Sequence, residues 1–328
     1  MDGRRGPASK GTEVVKKLTK RGRGGRGGIG PSDTGFVAET SRWACTLDNS
    51  HRSALRLSSE NCGGFEGFGR PRLRPGWVRA ALVLVLVMGA SGARAEPFDH
   101  QHGAWTQLLR SYDHDGRVDY AAWKTGGRAA LDAYLSSLEA VTGESYASWT
   151  REQRLAYWIN AYNAYMVKLV LDHYPLGSVR EIGLLPFAAF KDHFIPLEKL
   201  RGEKLSLDDV ENRILRKEIG EQLIHFGIVC ASRSCPVLRN EAYRASEVMA
   251  QLEAAARSFL ASDRNRFDPE HHKAELSSIF KWFHEDFERT GTLLQFVARY
   301  APPAVASHLA EPGWTIEYLD YDWSLNGL

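Results

Sequence analysis

Two cysteines, Cys230 and Cys235, carry the most reactive chemistry in this 328-residue sequence. They lie five positions apart in the segment HFGIVCASRSCP, which runs from His225 to Pro236. In a straight strand this separation is about 16 Å, and on a helix the side chains diverge by roughly 140°, so neither geometry allows a disulfide. Small and polar residues between the cysteines, and the proline after them, favour a turn. The sequence therefore predicts a loop that brings two thiols together.

Three roles are compatible with this thiol pair. A Cys230–Cys235 disulfide would hold a tight turn, mainly through local geometry because the closed ring is short. A redox-active pair would expose a thiolate whose pKa Arg233 could lower, although the usual C-x-x-C spacing is absent. A cysteine hydrolase or acyltransferase would use either cysteine as nucleophile and His225 or His193 as base. The first role suits a non-enzymatic binding module, and the other two suit an enzyme.

No metal or other cofactor is expected. The sequence contains no C-x2-C or H-x3-H spacing that would supply further zinc ligands beside the cysteines. The stretch DHDGRVD, from Asp113 to Asp119, resembles the start of a calcium loop. Lys124 stands at the twelfth position, where such a loop needs an acidic ligand, so a plain turn is predicted there.

A secretory signal is predicted near the beginning of the chain. The basic stretch RPRLRPGWVR (70–79) leads into the apolar run AALVLVLVMGASG (80–92) and an A-x-A site that ends at Ala95. The apolar run is too short for a bilayer, which needs about 20 residues, so it predicts a signal peptide over residues 78–95. Residues 1–77 are then either an extension upstream of the true translation start, near Val78, or a disordered arm.

Charge divides at the same boundary. Residues 1–95 hold 17 of the 42 Lys and Arg and 7 of the 40 Asp and Glu, which leaves residues 96–328 with a net charge of −8. An acidic domain without a basic stripe argues against nucleic acid as a partner. We expect one periplasmic or secreted domain over residues 96–328, with no stable transmembrane anchor after cleavage at Ala95. Its partner is expected to be a small molecule or an envelope protein, and export favours a disulfide over a metal site.

The longest predicted helix runs from Arg151 to His173. Thr150 suits the N-cap, Gln153 completes a capping box, and Pro175 with Gly177 stops the helix. Apolar side chains cover nearly all of its sides, which predicts a buried helix.

Two amides, Asn160 and Asn163, share one side of this helix. A buried amide must be hydrogen-bonded, because an unsatisfied one costs about 1–3 kcal/mol. The pair can therefore bind a neighbouring loop or position a substrate. Tying the helix to a loop is the more usual function of such buried amides.

The rest of the sequence mixes short strands and helices. In chain order the patterns predict a hairpin over His193–Leu207, a helix over Val210–Lys217 begun by Ser206 and Asp209, a buried strand over Leu223–Cys230, helices over Ala245–Ala261, Ser278–Glu288 and Leu293–Tyr300, and an extended segment over Trp314–Asn326. Together they predict an α+β fold, a mostly helical single domain with a small β-sheet or hairpins around the buried central helix.

Five segments resemble the bacterial branch of the family named domain of unknown function 547 (DUF547). They are AYWINAYNAYMVKLVLDHYP (156–175), LSLDDVENRILR (205–216), HFGIVCASRSCPVLRNEAY (225–243), LSSIFKWFHEDF (276–287) and YLDYDWSLN (318–326). The resemblance extends over most of residues 98–326. It implies that the helix with the two asparagines and the loop with the two cysteines form one site.

The resemblance also implies a set of site residues. The family's motif positions are occupied here by Asn160, Asn163, His225, Cys230, Ser232, Ser234, Cys235, Lys281 and Trp282. Asn212 stands where a histidine is expected after the acidic residue, so this copy is impaired if that histidine acts. Some eukaryotic relatives join a similar domain to a glutaredoxin-like one, which by analogy favours thiol chemistry. The expected function is a thiol-dependent, disulfide or redox, role in the cell envelope.

Overall fold

The computed structural model describes residues 98–185 and 187–328 of the chain. The predicted extension (1–77) and signal peptide (78–95) lie outside these residues. The described residues form a mostly helical α+β domain with two small sheets, which confirms the predicted fold class. Within this part of the chain, no helix is both long enough and apolar enough to cross a bilayer.

Helices build most of the domain. In chain order the α-helices span Gly103–Tyr112, Tyr120–Ala122, Arg128–Glu139, Gly143–Ala147, Arg151–His173, Ala188–Lys191, Glu198–Arg201, Val248–Leu260, Ser278–Trp282, His284–Phe287, Leu293–Tyr300 and Pro303–Ala306. Short 3-10 turns occupy Val179–Glu181, Gln222–Phe226 and His308–Ala310. Two stretches are wound more widely, as π-helix, over Trp123–Gly127 and Asp209–Ile219. The second is called the wide helix below, and such π-type turns are frequent at functional sites.

The central helix, Arg151–His173, has the predicted ends. Thr150 and Gln153 form the capping box in both directions, so two backbone N–H groups at the helix start are satisfied. Every residue from Leu155 to Val167 is buried. The wide helix and Val248–Leu260 both pack against the central helix, which explains why it has no polar face.

The described residues form two small sheets, one of two strands and one of three. Strands β1 (Asp113–His114) and β2 (Arg117–Val118) form an antiparallel hairpin. Its turn residues, Asp115 and Gly116, both have positive φ, as a type I′ hairpin turn requires. In the second sheet β4 (Lys273–Ser277) pairs with β3 (Arg266–Asp268) antiparallel and with β5 (Thr315–Leu319) parallel.

The predicted buried strand over Leu223–Cys230 is wrong. Residues Gln222–Phe226 form a 3-10 turn, and the backbone then continues without strand pairing to the first cysteine. The segment is buried as predicted, but a short apolar run does not by itself distinguish a strand from other buried structure. Its backbone bonds instead to a side chain, because Asn163 Nδ2 donates to Gly227 O and Asn163 Oδ1 accepts from Val229 N, each at 2.9 Å.

Other predicted elements are present with shifted bounds. The hairpin over residues 193–207 is reduced to one antiparallel bridge, Ile195 with Leu205, because the helix Glu198–Arg201 fills the connection. The helix predicted over residues 278–288 is divided at Phe283, whose backbone leaves the helical region. The segment over residues 314–326 is a strand only as far as Leu319.

Candidate functional site

The cysteine loop, Cys230–Cys235, makes the predicted turn. Cys235 N donates to Ser232 O at 3.2 Å, and Ala231 has a φ of +59°, an unusual conformation for a residue other than glycine. Both cysteines are free thiols, and their Sγ atoms lie 2.9 Å apart. The loop therefore brings together two sulfur atoms that are not bonded in this structure.

Residues 322–326, called the C-terminal segment below, are hydrogen-bonded to this loop. Arg233 N donates to Ser324 O at 2.9 Å, and Asn326 N donates to Ala231 O at 3.0 Å. Ser234 Oγ accepts from the backbone N–H of Asp322 at 2.9 Å. These contacts fix the backbone of the loop between the first cysteine and the second.

Cys230 is surrounded by hydrogen-bond donors. Its Sγ lies 3.0 Å from Ser232 Oγ and 3.2 Å from Tyr321 Oη, in addition to the contact with Cys235. Burial on its own raises the pKa of Cys230, but hydrogen bonds from Cys235, Ser232 and Tyr321 outweigh burial and lower this pKa to about 7. Cys230 therefore has a large thiolate fraction at neutral pH, and the thiolate is the reactive form.

The pKa of Cys235 is shifted in the opposite direction. It is buried, and burial together with its hydrogen bond to the Cys230 sulfur raises its pKa well above the usual value. Its thiol proton is therefore retained, and its Sγ accepts a hydrogen bond from the backbone N–H of Cys230 at 2.9 Å. The two cysteines are chemically distinct, one acidic and partly exposed and the other protonated and buried.

A cavity of about 350 Å³ opens beside the thiols. Its walls are largely aromatic and include Phe187, Phe190, Trp282, Phe283, Tyr321 and Trp323. Trp282, Tyr321 and Trp323 contact one another with ring centroids 4.6–5.8 Å apart, and Trp282 is 45% exposed. Apolar walls with a few polar groups are typical of small-molecule sites of this size.

Polar side chains of the cavity wall include Asp208, just before the wide helix, and Glu211 and Asn212 on that helix. Burial, followed by the nearby charge of Cys230, raises the pKa of Glu211 to about 8. Asn212 donates to Asp208 Oδ1 at 3.0 Å and accepts from Arg216 at 2.6 Å, so the residue at the family's expected histidine position lies in the cavity wall. The sequence reasoning missed Glu211, although it lies within the LSLDDVENRILR motif.

His225 lines the cavity but does not bind a cysteine. Its Nε2 lies 2.7 Å from Asp286 Oδ2, its ring stacks on Phe283 with centroids 4.0 Å apart, and its Nδ1 is 3.9 Å from Glu211 Oε1. Burial lowers the pKa of His225, and the hydrogen bond to Asp286 opposes this. His193, the other histidine considered as a base, has a 63% exposed side chain and pairs with Asp209 at 3.1 Å.

Both asparagines of the central helix bind loop backbone. Asn160 donates to Tyr243 O at 2.7 Å and accepts from Tyr243 N at 3.0 Å. Asn163 likewise donates to Gly227 O and accepts from Val229 N. Of the two uses considered for these amides, the structure shows the tie between helix and loop.

The remaining residues predicted from the sequence lie in different places: near the thiols, in a second pocket, or on the surface. Ser232 contacts Cys230, and Trp282 lines the thiol cavity. Arg233 instead faces a separate polar pocket, together with Arg264, and Cys230 owes its low pKa to hydrogen bonds and not to this guanidinium. Lys281 is exposed, with Nζ 5.9 Å from the ring centre of Tyr318. Across residues 98–185 and 187–328, no three His, Cys, Asp or Glu side chains form a group that could hold a metal ion.

Fold and site together define a helical α+β domain that presents a free thiol pair to an aromatic cavity. The model of the family described as "Protein of unknown function, DUF547" matches residues 146–260 of the chain. The matched range contains the central helix, the wide helix and the cysteine loop, whereas the similar segments at 276–287 and 318–326 lie beyond it. No curated protein matches the chain, and no solved structure does.

Proposed function

We propose that the cysteine loop is a thiol–disulfide exchange site in which Cys230 attacks and Cys235 resolves. The observation that carries this proposal is the 2.9 Å contact between the two sulfur atoms, one partly exposed and the other buried. An attacking thiol needs access and thiolate character, and a resolving thiol must reach the sulfur that it attacks. Both requirements are met by this pair.

The exchange balances without a cofactor. The Cys230 thiolate attacks one sulfur of a substrate disulfide, so a mixed disulfide forms and the first substrate thiolate leaves. Cys235 then loses its proton and attacks Cys230 Sγ, which forms the Cys230–Cys235 disulfide and releases the second substrate thiolate. The substrate gains two electrons, and its two thiolates take up the proton of Cys235 and one proton from the solvent. A dithiol returns the pair to its reduced form by the reverse steps.

Two observations favour exchange over the alternatives. A permanent structural disulfide has no use for the hydroxyl groups of Ser232 and Tyr321, which stabilise a thiolate at Cys230. A cysteine hydrolase needs a base in contact with its nucleophile. Within the described residues, the hydrogen bonds of the Cys230 sulfur go to Cys235, Ser232 and Tyr321, and His225 bonds to Asp286 instead.

The proposed setting is the cell envelope. This part of the proposal depends on the signal-peptide pattern of residues 78–95 and on the acidic charge of residues 96–328. The substrate would be a disulfide-containing small molecule or envelope protein that places an apolar group against the aromatic walls of the cavity. Mass spectrometry of the exported protein tests the setting, because cleavage after Ala95 gives a new N-terminus at Glu96.

A glutathione redox titration of the full chain tests the exchange reaction. Peptide mapping separates Cys230 and Cys235 from Cys45 and Cys62. We expect a potential above about −300 mV, in the range of exchangeable disulfides. A fully oxidised pair well below that potential, inert to glutathione, would instead establish the binding module with a structural disulfide.

Two matched variants assign the roles of the cysteines. Cys235→Ser keeps the attacking thiol and removes the resolving one, so it should accumulate a mixed disulfide at Cys230 when treated with oxidised glutathione. Cys230→Ser should accumulate far less at Cys235, because that thiol is buried and protonated. Equal labelling of the two variants would contradict the assignment.

A further inference from the structure

The cavity beside the thiols contains two carboxyl groups that lack a close cationic partner. Asp208 and Glu211 both line its wall. Asp208 accepts a hydrogen bond from the Asn212 amide at 3.0 Å and, among the described residues, forms no ion pair. His225 lies 3.9 Å from the Glu211 carboxyl, but its hydrogen bond goes to Asp286. A carboxylate in a largely apolar wall is costly unless a cation or several donors compensate its charge. The wall can therefore accept a positive charge.

The basic side chains of the same cavity do not supply this charge. Arg216 is bound to Asp286 and to Asn212 Oδ1, so its donors are directed away from both carboxyls. Lys191 lines the cavity, but it is an exposed residue and, within the part of the chain that the structure describes, it forms no ion pair. Neither group compensates the two carboxyls at close range.

Aromatic rings of this cavity already carry positive charges that belong to the protein. The guanidinium of Arg216 lies over the Phe283 ring, 5.0 Å from its centre. That of Arg180 lies over Phe187 and Trp323, at 5.6 and 5.8 Å. A cation over an aromatic face is attracted by the electron density of the ring. These contacts show that the walls of the cavity suit cations.

Three further rings of the cavity have no such partner. Among the described residues, no Lys or Arg lies over the ring of Phe190, Trp282 or Tyr321. Trp282 and Tyr321 contact each other with ring centres 4.8 Å apart, and Trp282 is 45% exposed. Tryptophan gives the strongest cation–π contact of the aromatic side chains. The cavity therefore offers free aromatic faces and uncompensated carboxyls on the same surface.

We propose that this cavity binds the ammonium group of a small organic amine, with Trp282, Tyr321 and the Asp208 carboxylate as its main contacts. The rings accept the alkyl groups and part of the charge, and the carboxylate compensates the remainder. The cavity volume of about 350 Å³ is that of a small-molecule site. Binding of the cation is independent of the reaction at the thiols. The extension to a disulfide that carries the ammonium group rests on the proposed exchange reaction.

The first experiment measures binding of choline and of its neutral carbon isostere, dimethylbutanol, to the reduced full chain. The two compounds have the same shape and differ in charge, and their methyl protons report binding by NMR line broadening. We expect choline to bind at least about tenfold more tightly, because only choline gains the cation–π and carboxylate contacts. Equal binding of the two compounds, or no binding of choline, would overturn the inference.

Two variants locate the bound cation. Asp208→Asn keeps the shape of the side chain and its acceptor for Asn212, and should weaken choline binding at least about fivefold. Trp282→Leu keeps an apolar wall and should weaken it at least about threefold. Glu218→Gln is the matched control, because Glu218 is an exposed carboxylate of the wide helix that pairs with Arg201.

The readout for each variant is the ratio of choline to dimethylbutanol affinity. Both affinities are measured on one sample, so the ratio does not depend on the folded fraction. The ratio should fall in Asp208→Asn and in Trp282→Leu and stay unchanged in Glu218→Gln. A ratio unchanged from wild type in Asp208→Asn or Trp282→Leu would overturn the inference, because choline would then bind elsewhere.

The second experiment tests whether the disulfide substrate carries the ammonium group. Cystamine, hydroxyethyl disulfide and dithiodiglycolate are similar in size and have positive, neutral and negative ends. Attack by the Cys230 thiolate on cystamine breaks its S–S bond, forms a mixed disulfide and releases one cysteamine thiolate, which takes a proton from the solvent. Each rate at Cys230 is divided by the rate of mercaptoethanol with the same disulfide, which removes differences in intrinsic reactivity.

We expect the normalised rate to be highest for cystamine and lowest for dithiodiglycolate, with at least about fivefold between successive compounds. Asp208→Asn should reduce the advantage of cystamine, and Glu218→Gln should not. Equal normalised rates would overturn the ammonium group as part of the substrate and leave the exchange reaction standing. If none of the three disulfides reacts at Cys230, the exchange proposal fails, and choline binding still decides whether the cavity binds an ammonium group.

Discussion

The side-chain oxygen of Asn163 accepts a hydrogen bond from the backbone N–H of Val229 at 2.9 Å, one residue before Cys230. The same side chain donates to Gly227 O. One amide thus satisfies a backbone C=O and a backbone N–H that a neighbouring strand would satisfy in a sheet. The irregular backbone that presents Cys230 is thereby held directly by the most buried helix of the domain. Stability and thiol position depend on the same two hydrogen bonds.

The first prediction follows from this contact. Asn163→Ala leaves a buried C=O and a buried N–H unpaired and should lower the free energy of unfolding by roughly 2–4 kcal/mol. It should also slow alkylation of Cys230, because the backbone before the thiol is released. Asn160→Ala is the matched control, since it breaks the equivalent pair of bonds to Tyr243, away from the thiol. Urea unfolding should show similar losses in both variants, whereas only Asn163→Ala should change the alkylation rate.

The second prediction concerns the Tyr321 hydroxyl, which lies 3.2 Å from Cys230 Sγ. A donor to the thiolate lowers the pKa of the thiol, so Tyr321→Phe should raise the pKa of Cys230. A hydrogen bond to a charged group contributes about 1.5–3 kcal/mol, which corresponds to roughly one to two pKa units. At pH 7 the alkylation rate should fall at least about fivefold, and ultraviolet titration of the thiolate should show the shift. Tyr318→Phe, on the exposed strand β5, should leave both unchanged.

The third prediction concerns Asp286, which is buried and binds His225, Arg216 and Arg289. Burial alone would raise its pKa, but the hydrogen bonds from His225 and Arg216 lower the pKa well below the usual range. Removing the charge with Asp286→Asn leaves its partners uncompensated and should cost roughly 3 kcal/mol, the lower end for a buried pair because the arginines keep access to water. Glu285→Gln, an exposed neighbour, is the control.

The pH dependence of stability gives a sharper readout of the same carboxylate. Because the folded pKa of Asp286 lies below its unfolded value of about 3.9, its contribution is fully present above that pH. The contribution is lost as the pH falls from about 4 through the folded pKa. Urea unfolding at a series of acidic pH values should therefore show a steeper decline for wild type and Glu285→Gln than for Asp286→Asn. Parallel declines would show that Asp286 is not the group responsible.

Sequence reasoning located the framework of the site from local signals. The ends of the central helix follow from Thr150, Gln153 and Pro175, whose effects are felt within a few residues. The turn between Cys230 and Cys235 follows from the geometry that a thiol pair requires, and the pairing of Asn160 and Asn163 with loop backbone follows from their burial. These features depend on neighbours in the chain or on a general rule about buried polar groups.

The chemistry around Cys230 could not be predicted in the same way. Tyr321 contacts the sulfur although it is 91 positions away in the sequence. Glu211 lies on a helix whose π-type winding is not predicted by any local sequence pattern. The strand predicted over residues 223–230 was wrong because its apolar run is buried by helices and satisfied by an amide. Contacts of this range are set by packing, and only three-dimensional structure displays them.

The hydrogen bonds between the cysteine loop and the C-terminal segment join parts of the chain that are synthesised at different times. The thiol of Cys230 is made long before Tyr321, Ser324 and Asn326, which fix its loop and supply one of its donors. A growing chain that has not reached these residues carries a cysteine of near-ordinary acidity on an unfixed loop. The hydrogen bonds that lower the pKa of Cys230 and fix its loop are therefore complete only when residues 321–326 pack against the loop.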